Sequence, residues 1–300
     1  MPCGTSVPPV GCALTLVVSS HWLVLGPWAN LVSMTGTPSP RPPLDPDRLA
    51  VPSGWRVEVL ESAASTNALV AERARAGEPA GLVVVTEHQT AGRGRLDRAW
   101  ETPARSSLTF SVLLRPDVPA KDWPWLPLLT GYAVQAALAD RLPEIALKWP
   151  NDVLVEDPAT GQGRKLAGIL VERVDSEDGP AAIVGIGINV DQTLDELPVA
   201  SATSVQLELG ETPDRTDLLG QVLGSLHGLQ GLLEDTAALR AAYVDACSTL
   251  GKVVDVQLPA EGVRRGEALD IDAGGALVVS ADDGVFSVGA GDVVHVRPIG

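Results

Sequence analysis

Val84-Val85-Thr86-Glu87-His88-Gln89-Thr90-Ala91-Gly92-Arg93-Gly94-Arg95-Leu96-Asp97-Arg98-Ala99-Trp100 is the stretch on which the reading of this chain turns. Its β-branched start predicts a strand, and the alternation of two glycines with two arginines predicts that the strand ends in a loop. Glycine lets a backbone bend to positive φ and approach a ligand closely. Arginine presents a planar fork of donors that suits phosphate and carboxylate oxygens. A loop of this kind is built to close over an anion. A Gly/Arg turn is also an ordinary solvated loop, so it needs partners elsewhere before it carries a function.

Four segments supply them: Ser65-Thr66-Asn67, Lys148-Trp149-Pro150-Asn151-Asp152, Lys165-Leu166-Ala167-Gly168-Ile169-Leu170 and Gly185-Ile186-Gly187-Ile188-Asn189-Val190. In this order, together with the Gly-Arg-Gly-Arg loop, they resemble the biotin protein ligases from about Trp55 to the C-terminus. The resemblance implies an α+β fold: a mixed β-sheet flanked by helices, as in a class II synthetase-like catalytic domain, followed by a small SH3-like β-barrel. It also implies the chemistry. Biotin and ATP give biotinyl-5′-AMP and pyrophosphate, and a lysine of a biotin carboxyl carrier protein or domain of an acyl-CoA carboxylase then takes the biotin.

The bulk properties agree with such an enzyme. Three hundred residues allow one large or two modest domains. A formal net charge of −16 repels a phosphate backbone, so nucleic acid is not an expected partner. The three cysteines, Cys3, Cys12 and Cys247, have neither disulfide nor metal spacing, which fits a cytoplasmic location. The four histidines are scattered, and no structural metal is expected. No Gly-Lys-Ser/Thr phosphate loop and no Gly-x-Ser-x-Gly elbow occurs, which excludes a P-loop kinase and leaves a hydrolase unsupported.

Along the chain, residues 10–32 are apolar enough to qualify as a span or signal. Pro27 and His21 interrupt them and no basic flank precedes them, so the favoured account is translation from Met34, with no membrane role. Residues 35–47 read as a proline-rich, solvated lead-in. The room between Met34 and Trp55 is too short for a helix-turn-helix, so the resemblance implies the form without an N-terminal DNA-binding domain. The expected domains are a 1–50 extension and linker, a 51–248 catalytic biotin- and ATP-binding domain, and a 249–300 barrel.

Within these, strands are predicted at 55–60, 108–115 (half-buried), 145–149, 153–156 and 165–174, the last two as a hairpin. The apolar run at 181–190 predicts a central strand; its Gly185-x-Gly187 lacks the third glycine of a dinucleotide fingerprint. Helices are predicted at 68–76, from an Asp122 cap to about 142, at 217–234 and at 237–247. Short strands are predicted at 253–258, 268–271, 276–280, 285–288 and 293–296.

Joining an acid to a nucleotide brings two anions together, which demands fixed cations in a dry pocket. Arg93, Arg95 and Lys165 are the catalytic candidates. The resemblance implies that Ser65, Thr66, Asn67, Gln89, Thr90, Gly92, Gly94 and Gly168 join them around biotin. It places Arg95, Arg98, Trp100, Lys148, Asn151, Asp152 and Asn189 with ATP, and Asp152 beside magnesium. Trp100 offers a flat apolar face for adenine; Lys148 pairing with Asp152, and Asn189 ending a strand, are the structural alternatives. A glycine-rich loop with few anchoring side chains is expected to be mobile until the adenylate orders it. Rival readings are a lipoate or octanoate ligase of related fold, whose signature is missing, and a non-catalytic biotin sensor, which would not need both Arg93 and Lys165. Monomer and homodimer both remain open.

Overall fold

The computed structural model describes residues 41–258, 262–289 and 292–295. The apolar run at 10–32, the start at Met34 and the last predicted strand residue, Val296, lie outside them.

Seven strands follow one another as β1 (Arg56–Leu60), β2 (Leu82–Thr86), β3 (Ser107–Leu114), β4 (Ile145–Lys148), β5 (Asp152–Glu156), β6 (Gly163–Ser176) and β7 (Gly179–Asn189). They form one sheet in the order β1-β2-β3-β7-β6-β5-β4. The β1–β2 pair is parallel and the other pairs are antiparallel, so the sheet is mixed. β7 lies in the middle, as its apolar run predicts.

Alternation along the strands assigns the two faces. Val83, Val85, Phe110, Val112, Val184, Ile186 and Ile188 point to one face and share a core with α2 (Trp125–Leu138), α4 (Arg215–Leu229) and α5 (Thr236–Ala246). A short helix, α3 (Val205–Leu209), precedes α4. Leu82, Val84, Leu113, Ala181 and Ile183 point to the opposite face, where Val70, Ala71 and Ala74 of α1 (Thr66–Arg75) cover them. With both faces covered, β3 is buried at every position rather than half-buried.

The helix expected from Asp122 to about 142 is shorter. Residues Ala120–Asp122 form a separate 3-10 turn, and α2 begins after Pro124. Pro127 is the third residue of α2, where a missing N–H breaks no intrahelical bond.

The solvated lead-in also fails for its described part. Arg41 pairs with Asp191 at 3.1 Å and Glu196 at 2.6 Å. Leu44 is buried, and its amide donates to Glu87 Oε1 at 2.5 Å. Glu87 in turn pairs with the buried Arg215 at 2.7 Å, and Arg215 donates to the Pro42 carbonyl at 2.8 Å. Prolines that look solvated in sequence also pre-extend the chain, so docking costs it little entropy.

Five strands complete the chain: β8 (Val253–Leu258), β9 (Gly262–Ile271), β10 (Leu277–Ala281), β11 (Gly284–Val288) and β12 (Asp292–His295). They form an antiparallel sheet ordered β11-β10-β9-β8-β12. β9 starts at Gly262 rather than Ala268, because Val263-Arg264-Arg265-Gly266-Glu267 lacks an apolar period yet pairs fully with β8. This sheet is fastened to the first by two buried indoles: Trp125 Nε1 donates to the Ala273 carbonyl at 3.1 Å and Trp149 Nε1 to the Gly275 carbonyl at 3.0 Å. Among the described residues no helix is long and apolar enough to cross a membrane.

Candidate functional site

The cavity lies on the α1 face of the sheet, just beyond the end of that helix. Its floor is set by register. Thr109 of β3, Gly187 of β7 and Gly168 of β6 lie opposite one another, and the next row is Ser111, Gly185 and Leu170. The side chains missing from these glycines make room for Trp100, Asn67 and Lys165, which line the cavity. A Cβ on Gly187 would stand 2.5 Å from the Trp100 ring, and one on Gly185 would overlap the Asn67 amide. About 770 Å³ of space, open solvent at the mouth included, lies above this floor.

One wall is the start of α1. Ser65 caps the helix by accepting from the Ala68 amide at 3.4 Å, and it also lines the cavity. The Thr66 amide donates to Gln89 Oε1 at 2.9 Å, and Ser111 Oγ donates to Asn67 Oδ1 at 2.6 Å and lies 2.8 Å from Thr66 Oγ1. These buried polar groups hold one another in fixed orientations, which preorganises the wall.

The opposite wall carries charge. Lys165 Nζ lies 2.6 Å from Asp152 Oδ1 and 5.8 Å from the centre of the Trp100 ring. Asn151 accepts from Arg95 at 3.1 Å and donates to the Ile169 carbonyl at 2.8 Å.

The Gly-Arg loop forms the lid and folds back as a small hairpin. Gly94 N donates to the Arg98 carbonyl at 2.7 Å and Trp100 N to the Gly92 carbonyl at 2.9 Å. Contrary to the expectation of few anchors, side chains tether it without a ligand: Arg93 to Glu172 at 3.2 Å and Arg95 to Asn151. Glu172 also accepts from Asn67 at 2.7 Å, so one carboxylate joins the lid to the α1 wall. The Trp100 Nε1–H is buried within the cavity and meets no acceptor among the described residues, an omission that costs about 1–3 kcal/mol.

Ser65, Thr66, Asn67, Gln89, Arg93, Gly94, Arg95, Arg98, Trp100, Asn151, Asp152, Lys165 and Gly168 all line this cavity. Four predicted residues do not. Thr90 is exposed, and its amide donates to the Ala63 carbonyl at 2.9 Å. Gly92 is buried against the Gln89 side chain and the Trp100 carbonyl, with no room for a Cβ. Lys148 stands 3.6 Å from Asp152 on the adjoining strand end. Asn189 is buried and spends its amide on the Thr203 carbonyl at 2.9 Å and on Gln192 at 3.1 Å. The last two follow the structural alternatives raised by the sequence.

Asp152 also fails as a magnesium ligand. Its two oxygens already face Lys165 and Lys148, and among the described residues no group of three or more His, Cys, Asp or Glu is placed to hold a metal. A hard dication needs several oxygens, and two ammonium groups at the same carboxylate oppose it. The residues present do not fit a protein-held magnesium.

Sequence reading missed Thr109, Ser111, Leu170, Gly185, Gly187 and Glu172. A signal existed for four of them: Thr109-x-Ser111 and Gly185-x-Gly187 are period-2 runs of small residues on the strand face opposite the large apolar ones.

A pocket lined by cations and by fixed neutral polar groups, on a mixed sheet followed by a small β unit, defines a class that comparison with known proteins makes specific. Residues 59–189 match the Biotin/lipoate A/B protein ligase family, and residues 249–296 match the Biotin protein ligase C terminal domain. The chain is 39% identical over 278 residues to a biotin–[acetyl-CoA-carboxylase] ligase of Mycobacterium tuberculosis, covering 88% of this chain and all of that one. It is 32% identical over 245 residues to the bifunctional ligase/repressor BirA of Bacillus subtilis, covering 76% and 70% of the two chains. A biotin protein ligase from Aquifex aeolicus, solved in complex with biotin and ATP, superposes with a TM-score of 0.65 at 28% identity, over 80% of this chain and 98% of that one. The chain belongs to the biotin protein ligases.

Proposed function

We propose that this chain is a biotin–[acetyl-CoA-carboxylase] ligase that makes biotinyl-5′-AMP from biotin and ATP and passes biotin to one lysine of a biotin carboxyl carrier protein or domain. A carboxylate oxygen of biotin attacks the α-phosphorus and pyrophosphate leaves with the bonding pair. The acceptor amine then attacks the acyl carbon, gives up a proton, and AMP departs.

The observation that carries this reading is the convergence of Lys165, Arg93 and Arg95 on one cavity beside the fixed polar wall of Ser65, Thr66, Asn67 and Gln89. The neutral wall suits biotin's ureido ring, which both donates and accepts. Lys165 and the lid arginines suit the carboxyl–phosphate junction, where negative charge collects. Asp152 orients Lys165 toward that junction, and Trp100, Arg98 and Asn151 take the nucleotide, the unmet Trp100 N–H finding its acceptor there. Lys148, Asn189, Thr90 and Gly92 act behind this layer by fixing Asp152, the end of β7 and the lid. Magnesium enters on the phosphates of ATP rather than as a resident ion. Residues 51–248 form the catalytic part and 249–300 a separate β unit. The enzyme works in the cytoplasm, as monomer or homodimer, with neither nucleic acid nor membrane as partner.

The test is to mix the protein with a biotin carrier domain, ATP and magnesium, and to offer biotin, lipoate or octanoate. Mass spectrometry of the carrier lysine should show addition of biotin alone. Addition of lipoate or octanoate instead, or biotin binding without transfer, would contradict the assignment.

A further inference from the structure

The Lys148–Asp152 turn sits at the outer end of the sheet, where β4 has a strand partner on one side only. Its free side is closed by the segment leading out of α5. Leu147 bridges to Cys247, and Ser248 N donates to the Leu147 carbonyl at 2.8 Å. The next bond in this series is made by a side chain: the Trp149 amide donates to Thr249 Oγ1 at 3.0 Å. Thr249 is fully buried, and so is all but 1% of Trp149. Without that hydroxyl the amide would be a buried donor with no acceptor. The indole of the same Trp149 is held by Gly275, so both the backbone and the side chain of one residue are gripped from the C-terminal segment.

Two residues further on, Asn151 accepts from Arg95 of the lid, and its carbonyl accepts from Ile169 N at 2.9 Å. Asp152 then holds Lys165. A shift of the backbone at Trp149 would therefore move the partners of a lid arginine and of the cavity lysine together. The α1 wall meets this series at one remove, through the lid and Glu172, and would move less.

We propose that Thr249 is a positioning residue for the nucleotide end of the reaction: its hydroxyl fixes the Trp149 amide, and through it the placement of Asn151 and Asp152. The proposal rests on the reading of Asn151 and Asp152 given above. The hydroxyl is itself oriented, because His295 Nε2 of β12 stands 3.1 Å from Thr249 Oγ1 and can accept its proton when that nitrogen is bare.

A purely structural threonine and a positioning one part company in steady-state kinetics of the full chain. Thr249→Val keeps the shape and loses the acceptor. It should raise the KM for ATP about tenfold, the scale of one unmet buried donor, and leave the KM for biotin within about twofold. Thr249→Ser, which restores the acceptor, should recover most of the wild-type KM for ATP. Should Thr249→Val fail to fold, Thr249→Ala compared with Thr249→Ser gives the same contrast. Equal rises in both KM values, an unchanged KM for ATP, or a serine variant as impaired as the valine would overturn the proposal. Asn151→Ala, run alongside, separates the two claims. If it raises the KM for ATP while Thr249→Val does not, only the brace falls; if both are silent, the nucleotide-end reading falls as well.

Discussion

The two faces of the seven-stranded sheet are made by the same strands and do opposite work. On the α2 face, alternate residues are large, and Phe110, Val184, Ile186 and Ile188 fill the space against three helices. On the α1 face, their immediate neighbours Thr109, Ser111, Gly185 and Gly187 are small, and the space they leave admits Asn67 and Trp100, which line the cavity. The strand period of two lets one segment serve a core and a site without compromise between them. Substitutions one residue apart should accordingly fail in different ways.

The largest effect is expected on the apolar face. Phe110→Ala removes a fully buried ring and should cost about 3–5 kcal/mol of stability, read as a lower denaturant midpoint, while molecules that remain folded still bind biotin. Loss of biotin affinity at unchanged stability would erase the contrast between the faces. Lys165→Met should do the reverse, slowing adenylate formation on the order of a hundredfold or more through loss of one charged donor, with little change in melting. Single-turnover release of pyrophosphate measures it, and a near-normal rate would move the chemistry elsewhere.

A smaller effect separates the C-terminal sheet from both faces. Burial holds the His295 pKa down at about 4, with Lys148 and Lys252 pushing the same way and Asp152 opposing. Because the folded value lies below the unfolded one, the neutral ring contributes stability above about pH 6.5 that is lost as pH falls toward 4. Melting curves across that window should show the decline, and His295→Gln should flatten it. An identical profile in the variant would remove His295 from the account.

Much of this could be read from the sequence. β7 as the central strand follows from its apolar run, and the Gly-Arg lid with Lys165 follows from the demand that two anions be joined. What stayed hidden has physical causes. A strand glycine reads as weakness or as part of a nucleotide fingerprint, whereas Gly185 and Gly187 matter through what lies across the ladder from them, and register is not visible in one segment. Thr90 and Gly92 stand next to the lid arginines in sequence, yet neither lines the cavity: the Thr90 amide bonds Ala63, and Gly92 packs against Gln89 and Trp100. Lys148 and Asn189 sit at strand ends, where a polar side chain finds a protein partner as readily as a ligand. The docked strap from Arg41 onward was masked by its prolines, and its acceptors, Asp191 and Glu196, lie 150 residues or more away.

The central claim is that the glycines on the α1 face shape the binding site by letting Trp100 and Asn67 lie against the sheet. Gly187 has a backbone conformation open to alanine, and the added methyl would meet a movable ring, Trp100, so Gly187→Ala should fold. Calorimetric titration of wild type and Gly187→Ala with a non-hydrolysable biotinyl-adenylate tests the claim directly. The account predicts at least about tenfold weaker binding with a melting midpoint within about 4 °C of wild type. Equal affinity in the two proteins would contradict it.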